Sequence, residues 1–476
     1  MSTPPDRPRL DELWESGPVY IASDKPLARL VARPVREFLR VEAAGSLLLL
    51  LAAAVALVWA NSPWAESYDA LWHAHLTIDV GPLHLDESLQ HWVNDALMVI
   101  FFFVVGLEIK YELVNGDLRD PKTAALPIVA AIGGMVVPAG LYFALNPPGS
   151  DGAAGWGIPM ATDIAFAVGV LGVLGRRIPS AARLFLLTLA IVDDIGAILV
   201  IAVFYTADLS LTWLAIALGL LGAMAVARTV RVWSTVVYVV LGVGVWFALL
   251  ESGVHATLAG VAIGLLAPAT PLLKEEVARQ HAREALRDNT LDPDELAKLR
   301  FLLKESVSVV ERLISTLHPV SAYVVLPVFA LANAGVELGA IGKVFTEPVG
   351  LGIILGLVLG KPVGIFVASF LAVRLGLGRL PEQTSWSMLV GLGAVAGIGF
   401  TVSIFIAGLS FPGAELLTDE AKIAILLASL FAAIVGVVLL LRATAGRAYE
   451  DDPEPESGQQ AMSEALDGRV DDARPE

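Results

Sequence analysis

Residues 182–206 read ARLFLLTLAIVDDIGAILVIAVFYT. Apart from Arg183 near one end, the stretch is apolar and long enough to cross a bilayer, whose hydrocarbon core takes about 20 residues of helix. Its midpoint nevertheless carries two adjacent carboxylates, Asp193 and Asp194. A charge at the centre of a span costs about 2.5–3.5 kcal/mol on insertion scales, so charges kept there face protein or a cavity rather than lipid. Working outward, the run 348–372 has Lys361 at its midpoint, and the run 157–175 has Asp163 within a helical turn of its own. The four groups together cost on the order of 10–14 kcal/mol, and their shared depth implies one polar site at the midplane. A buried ion pair that fixes helix register would explain one Asp and one Lys. It does not explain a surplus of carboxylates, because like charges in a low dielectric repel until one takes a proton or holds a cation.

The composition fits this reading. Of 476 residues, 56% are hydrophobic and 17% charged, with 43 Gly and a net charge of −16. An ordinary soluble domain carries about 25% charged residues. A soluble globule, a disordered chain, a coiled coil and a nucleic-acid binder are all poor fits. No cysteine is present, which removes structural disulfides, thiolate metal sites and S-acylation. The N-terminus carries no pattern of a cleaved signal peptide.

Twelve apolar runs are expected to span: 43–60, 92–111, 123–145, 157–175, 182–206, 210–228, 232–250, 254–268, 319–335, 348–372, 388–408 and 420–442. With the N-terminus in the cytoplasm, 29 of the 32 Lys and Arg fall inside, leaving Lys343 and Lys422 outside and Lys361 within a span. That asymmetry follows the positive-inside rule and places both termini in the cytoplasm. The expected organisation is a cytoplasmic N-terminal segment 1–42, a transmembrane domain 43–443 and an acidic cytoplasmic tail 444–476. Residues 26–41, PLARLVARPVREFLRV, read as a basic helix lying on anionic lipid headgroups. Two alternating runs around Gly81-Pro82 predict an external β-hairpin at about 75–85. A charged cytoplasmic loop fills about 269–318, and Asp292-Pro293-Asp294-Glu295 within it reads as a helix start. The tail has the composition of a disordered, solvated segment.

Two spans look interrupted. GWGIPMATDIAFAVG places Pro159, Thr162 and Asp163 in an apolar stretch, and GAVAGIGFTVSIF places Gly397, Gly399 and Thr401 at mid-span. Unwound backbone at membrane depth is tolerated only where it lines a protein interior or cavity. Interrupted spans at corresponding places in two halves point to a transporter with inverted repeats, here spans 3–5 and 10–12. Where two such breaks cross, paired helix N-termini need an anion and paired C-termini a cation. Asp163 and Lys361 are the residues available. Gly352, Gly356, Gly360 and Gly364 form a flat helix face for close packing, and Pro362 can kink the helix beside Lys361.

Other polar residues are weaker candidates. Asp95, Glu108 and Glu112 lie along the second span, where surface positions, ion entry or pH sensing all fit. His255 could titrate near neutrality or simply pack as a hydrogen-bonded core histidine. His318 sits at a span entrance, where capping is expected. His73, His75, His84 and His91 lie outside without metal-ligand spacing, and no P-loop or dinucleotide fingerprint accompanies them. Carboxylates without soft ligands suit hard cations such as Na⁺, Li⁺ or H⁺. Adjacent helical residues point about 100° apart, so one carboxylate of the pair can face a cavity and the other a neighbouring helix. A carboxylate that holds a proton or a metal ion, never both, suffices for coupled exchange when access alternates between the two sides. An open cation channel and an intramembrane aspartyl protease are the alternatives. The protease needs its two Asp on different helices, one in a Gly-x-Gly-Asp context that neither Asp163 nor Asp193 has.

The segments ATDIAFAVGVLGVLG, LAIVDDIGAILVIAVFYT, WVNDALMVIFFFVVGLEIKYEL, SGVHATLAGV, LPVFALANAGV, GKPVGI and GIGFTVSIFIAGLSF resemble the NhaA-type sodium/proton antiporters, over about residues 36 to 445. The resemblance implies an all-α polytopic protein of twelve transmembrane helices, with discontinuous helices four and eleven crossing between inverted repeats. It implies electrogenic exchange of Na⁺ or Li⁺ for H⁺ in a bacterial-type plasma membrane, serving pH homeostasis and salt tolerance, with ions as cargo and no cofactor. By position it implies Asp194 and Asp193 as the ion- and proton-binding pair, Thr162 and Asp163 at the fourth-helix break, and Lys361 as the tenth-helix lysine. It also implies a homodimer through the external hairpin. The long loop 269–318 and the acidic tail depart from the family pattern.

Overall fold

The computed structural model describes residues 44–80, 83–206, 209–230, 232, 234–274, 276–281 and 292–445. The basic segment 26–41 and the tail from 446 onward lie outside the described residues. Among the described residues seven helices are long and apolar enough to cross a membrane, or nine if each of two bent pairs is one span.

The chain opens with α1 (Ala44–Ala60) and α2 (Ala65–Trp72), which turn by 116° relative to each other. Strands β1 (His75–Val80) and β2 (Leu83–Ser88) pair antiparallel, with His75 opposite Ser88. The hairpin thus extends to 88 rather than 85, because Ser88 both ends the ladder and caps the next helix by accepting from His91 N. A helical turn, Leu89–Trp92, and a π-turn, Val93–Leu97, lead into α3 (Met98–Val114). Helix α4 (Pro121–Leu145) starts at an Asp120 cap with proline in its first turn, an arrangement that satisfies free N–H groups where proline lacks one. A 3₁₀ helix, Ala153–Met160, and an extended link, 161–163, precede α5 (Ile164–Leu174). Then come α6 (Ser180–Phe204), α7 (Leu211–Thr229), α8 (Thr235–Glu251) and α9 (Leu258–Leu266).

In the charged loop, α10 (Pro293–Glu305) starts where the sequence places it, with Asp292 accepting from Glu295 N at 2.7 Å. The loop ends earlier than expected. Ser308 and Glu311 form a reciprocal capping box that starts α11 (Val309–Val320), and a π-turn, Ser321–Val325, carries it into α12 (Leu326–Asn333). His318 therefore lies in a helical turn and Pro319 is accommodated inside the helix. The remaining helices are α13 (Pro348–Leu355), joined through a π-turn to α14 (Lys361–Arg374), then α15 (Trp386–Ala396), α16 (Phe400–Ser410) and α17 (Glu415–Thr444).

One large apolar core runs through α1–α6 and α12–α17 and takes in Val261 of α9, while α7, α8 and α9 share a smaller one. Helices α4 and α14 cross at backbone contact. A Cβ on Gly364 would strike the Gly133 carbonyl, and Gly360 lies against Pro138. The glycine stripe is thus a packing face, and it delivers Lys361 to the interior. Large apolar side chains such as Leu218, Val226, Val236 and Val240 stay exposed on α7 and α8, as suits helices facing lipid.

Candidate functional site

The site forms where the link 161–163 crosses the break between α15 and α16. These two helices meet at 48° across residues 397–399. The crossing is held by main-chain and side-chain bonds. Asp163 N donates to Ile398 O at 2.7 Å, and Thr162 Oγ1 lies 2.8 Å from Ala396 O. Gly397 is required by proximity, since a Cβ there would collide with the Leu357 carbonyl oxygen of the neighbouring π-turn. Gly399 gives α16 its start, and Ser403 N bonds back to its carbonyl at 2.8 Å.

Asp163 caps two helices at once. One carboxylate oxygen accepts from Phe166 N at 3.0 Å in the first turn of α5. The other accepts from Thr401 N at 3.0 Å and Thr401 Oγ1 at 2.6 Å in the first turn of α16. Both oxygens are therefore engaged, and its negative charge lies at two helix N-termini, where dipoles favour it. At the opposite ends, Lys361 Nζ donates to Met160 O, the last carbonyl of the 3₁₀ helix, and to Asp193 Oδ2. Lys361 thus forms its ion pair with Asp193. Both side chains of that pair are fully buried, so neither ion finds compensation from solvent.

The two adjacent carboxylates of α6 differ. Asp193 Oδ2 takes Lys361 and also lies 2.6 Å from Thr162 Oγ1, while its Oδ1 is buried and accepts no hydrogen bond among the described residues. Thr162 has one proton to give and two acceptors in reach, Asp193 Oδ2 and Ala396 O. Asp194 is 5% exposed and receives no hydrogen bond among the described residues. It sits within electrostatic reach of Asp193, Glu108, Asp163 and Lys361. With its lone pairs free, this carboxylate can hold a proton or a cation.

The peripheral candidates separate. Glu108, partly buried on α3, belongs to the electrostatic surroundings of Asp194. Glu112 accepts from Asp117 N at 3.0 Å and so caps the short turn after α3. Asp95 lies 3.4 Å from His91, beside the hairpin, and Trp246 donates to its main-chain oxygen at 3.2 Å. His255 Nε2 is 2.7 Å from Tyr205 O. Sequence reasoning did not find Ser403, which donates to Ile158 O at 2.8 Å, or Ser429, which accepts from Phe400 N at 3.2 Å. Nothing in one sequence marks a serine in an apolar helix as a partner of a distant broken backbone.

The family model described as Na⁺/H⁺ antiporter 1 matches residues 36–440. The chain is 48% identical over 448 residues to the Na(+)/H(+) antiporter NhaA 2 of Sorangium cellulosum, covering 90% of this chain and 95% of that one. It is 49% identical over 419 residues to the Na(+)/H(+) antiporter NhaA of Rhodopirellula baltica, covering 86% and 94%. Against the Na(+)/H(+) antiporter NhaA of Oleidesulfovibrio alaskensis the identity is 45% over 443 residues, covering 90% and 98%. The chain belongs to the Na⁺/H⁺ antiporter 1 family, and its several apolar helices make it a multi-pass membrane protein.

Proposed function

We propose that this protein is an electrogenic secondary transporter that exports Na⁺ or Li⁺ in exchange for entering H⁺ by alternating access. The observation that carries the reading is the Asp193–Asp194 pair, in which Asp193 Oδ1 and the Asp194 carboxylate accept no hydrogen bond among the described residues. Asp194 is the principal ligand, binding Na⁺ or a proton in competition, and Asp193 assists. A sodium ion there takes oxygen ligands, as hard cations do. We read the two carboxylates as its side-chain ligands. The competition itself couples the fluxes, since a proton arriving on Asp194 displaces the cation.

The lone proton of Thr162 registers the state of Asp193. An ionised Asp193 draws it, whereas a protonated Asp193 releases it to Ala396 O. Asp163, engaged on both oxygens, compensates the helix N-termini, and Lys361, held by Met160 O and Asp193, the opposite ends. Gly397, Gly399 and Thr401 shape the second break. Asp95, Glu108, Glu112 and His255 are the candidates for pH sensing or ion entry.

Twelve spans with inverted repeats of spans 3–5 and 10–12 form the domain 43–443, with both termini cytoplasmic in a bacterial-type plasma membrane. The hairpin edge joins two copies, and segment 26–41 rests on anionic lipid. The test is dissipation of a pH gradient in everted vesicles after addition of Na⁺, Li⁺ or K⁺ between pH 6 and 9. Sodium and lithium should each release protons and potassium should not. A current that flows with sodium alone and reverses at the sodium potential would indicate a channel instead.

A further inference from the structure

The first half of the interrupted fourth segment is a 3₁₀ helix of eight residues, Ala153–Met160. Such helices seldom exceed three or four residues, because their hydrogen bonds are poorly aligned and their side chains eclipse. Gly155, Gly157 and Pro159 disfavour an α-helix here but do not hold the alternative together. Support comes from other elements. Tyr142 Oη donates to Gly152 O at 2.7 Å, Ser403 Oγ to Ile158 O at 2.8 Å, and Lys361 Nζ to Met160 O. Tyr205 makes two contacts with this helix. Its hydroxyl donates to Ala154 O at 2.7 Å and accepts from Gly157 N at 3.3 Å.

Tyr205 follows the last residue of α6, eleven positions beyond Asp194, which is about 16 Å along a helix axis. Ser410, in the last turn of α16, lies 3.2 Å from the same phenol oxygen, its proton shared with Ile406 O at 2.8 Å. One hydroxyl thus joins the far end of the 3₁₀ helix and the far end of α16 to the helix that bears both carboxylates. The near end of the 3₁₀ helix is the part that meets the site, through Met160 O on Lys361 and, two residues on, Thr162 on Asp193.

We propose that Tyr205 is a positioning residue for ion binding. It fixes the 3₁₀ helix along α6 and so sets where the Met160 carbonyl and the Thr162 hydroxyl stand relative to Asp193 and Asp194. This inference rests on the reading of that pair as the ion site. The phenol acts at a distance, through a short rod pinned at both ends. Loss of the hydroxyl frees Ala154 O at the far end and Gly157 N at mid-helix and lets the near end shift, which weakens cation binding rather than the exchange step.

The test compares wild type, Tyr205→Phe and Ser410→Ala in liposomes, reading sodium-driven proton release, alongside the sodium concentration needed to raise the melting temperature in detergent. Tyr205→Phe should raise the apparent KM for sodium about three- to tenfold with the maximal rate within about twofold, the signature of lost binding rather than lost turnover. The sodium midpoint for stabilisation should rise in parallel, and Ser410→Ala should show a smaller rise of both. A merely structural phenol would lower the melting temperature of Tyr205→Phe and leave both sodium midpoints where they are, which overturns the inference. If Tyr205→Phe does not fold, Ser410→Ala decides, and unchanged midpoints there overturn it too. A wild-type protein that exchanges no sodium and gains no stability from it would remove the ion-site reading itself, and this inference with it.

Discussion

At the scale of single residues, two neighbouring carboxylates on one helix have different surroundings. Asp194 accepts no hydrogen bond among the described residues, while Asp193 is held by Lys361 and Thr162. Asp194→Asn should therefore leave a folded protein with sodium-driven proton release reduced at least about 100-fold, the upper end of what losing a mere supporting partner of a ligand costs. Near-normal release by that variant would refute the assignment. In the wild type, the proposed competition of protons and sodium for the same oxygens makes apparent sodium affinity weaken as pH falls. Lys361 is buried with Asp193 and cannot be removed without leaving a lone charge, a loss of about 3–5 kcal/mol. Lys361→Ala should melt many degrees below wild type by differential scanning fluorimetry. Lys361→Arg keeps the charge but does not release a proton. If the lysine carries one, that variant folds and moves less charge per sodium on a solid-supported membrane; an unchanged value confines Lys361 to structure.

At the scale of elements, the two interrupted segments complete each other. Asp163 of one supplies the cap that Thr401 of the other needs, and Ile398 supplies an acceptor to Asp163. Gly397→Ala would press a methyl group onto the Leu357 carbonyl, whereas Gly408→Ala, eleven positions on, meets nothing within 4 Å. The first variant should lose about 1–3 kcal/mol, typical of forced overpacking, and most transport activity. The second should behave as wild type in the same melting and exchange measurements. The breaks were legible because Pro159, Gly397 and Gly399 interrupt apolar runs, and the ionisable groups because lipid tolerates so few of them. The 3₁₀ form of residues 153–160 and the serines that pin broken backbone were not legible. They depend on tertiary neighbours, which local pattern does not encode. The early start of α11 was missed for a different reason. Hydropathy marks where apolar residues begin, and the capping box at Ser308 and Glu311 begins a helix while its residues are still charged.

At the scale of the whole molecule, the hairpin stands apart from the core that carries the site. Its two strands pair with each other, His75 opposite Ser88, and deleting them tests the proposed contact between two copies. Deleting residues 75–88 should yield a monomer by light scattering in mild detergent that still exchanges ions after reconstitution. A dimer in that experiment would exclude the hairpin as the contact. The crossing of the broken segments also bears on how the protein comes to exist. Thr162 finds the second of its two acceptors on Ala396, 234 positions later in the chain. At a synthesis rate of about 5–20 residues per second, roughly 10–50 s separate the emergence of the two. For that interval the first break enters the bilayer with one Asp163 oxygen held by Phe166 N, while its other oxygen and its main-chain N–H still lack Thr401 and Ile398, a condition that lipid penalises. The nascent half-protein is therefore a guest of whatever insertion machinery shelters it, and a chain halted before Trp386 should be found by the cell's membrane proteases long before it could be found by an assay for sodium.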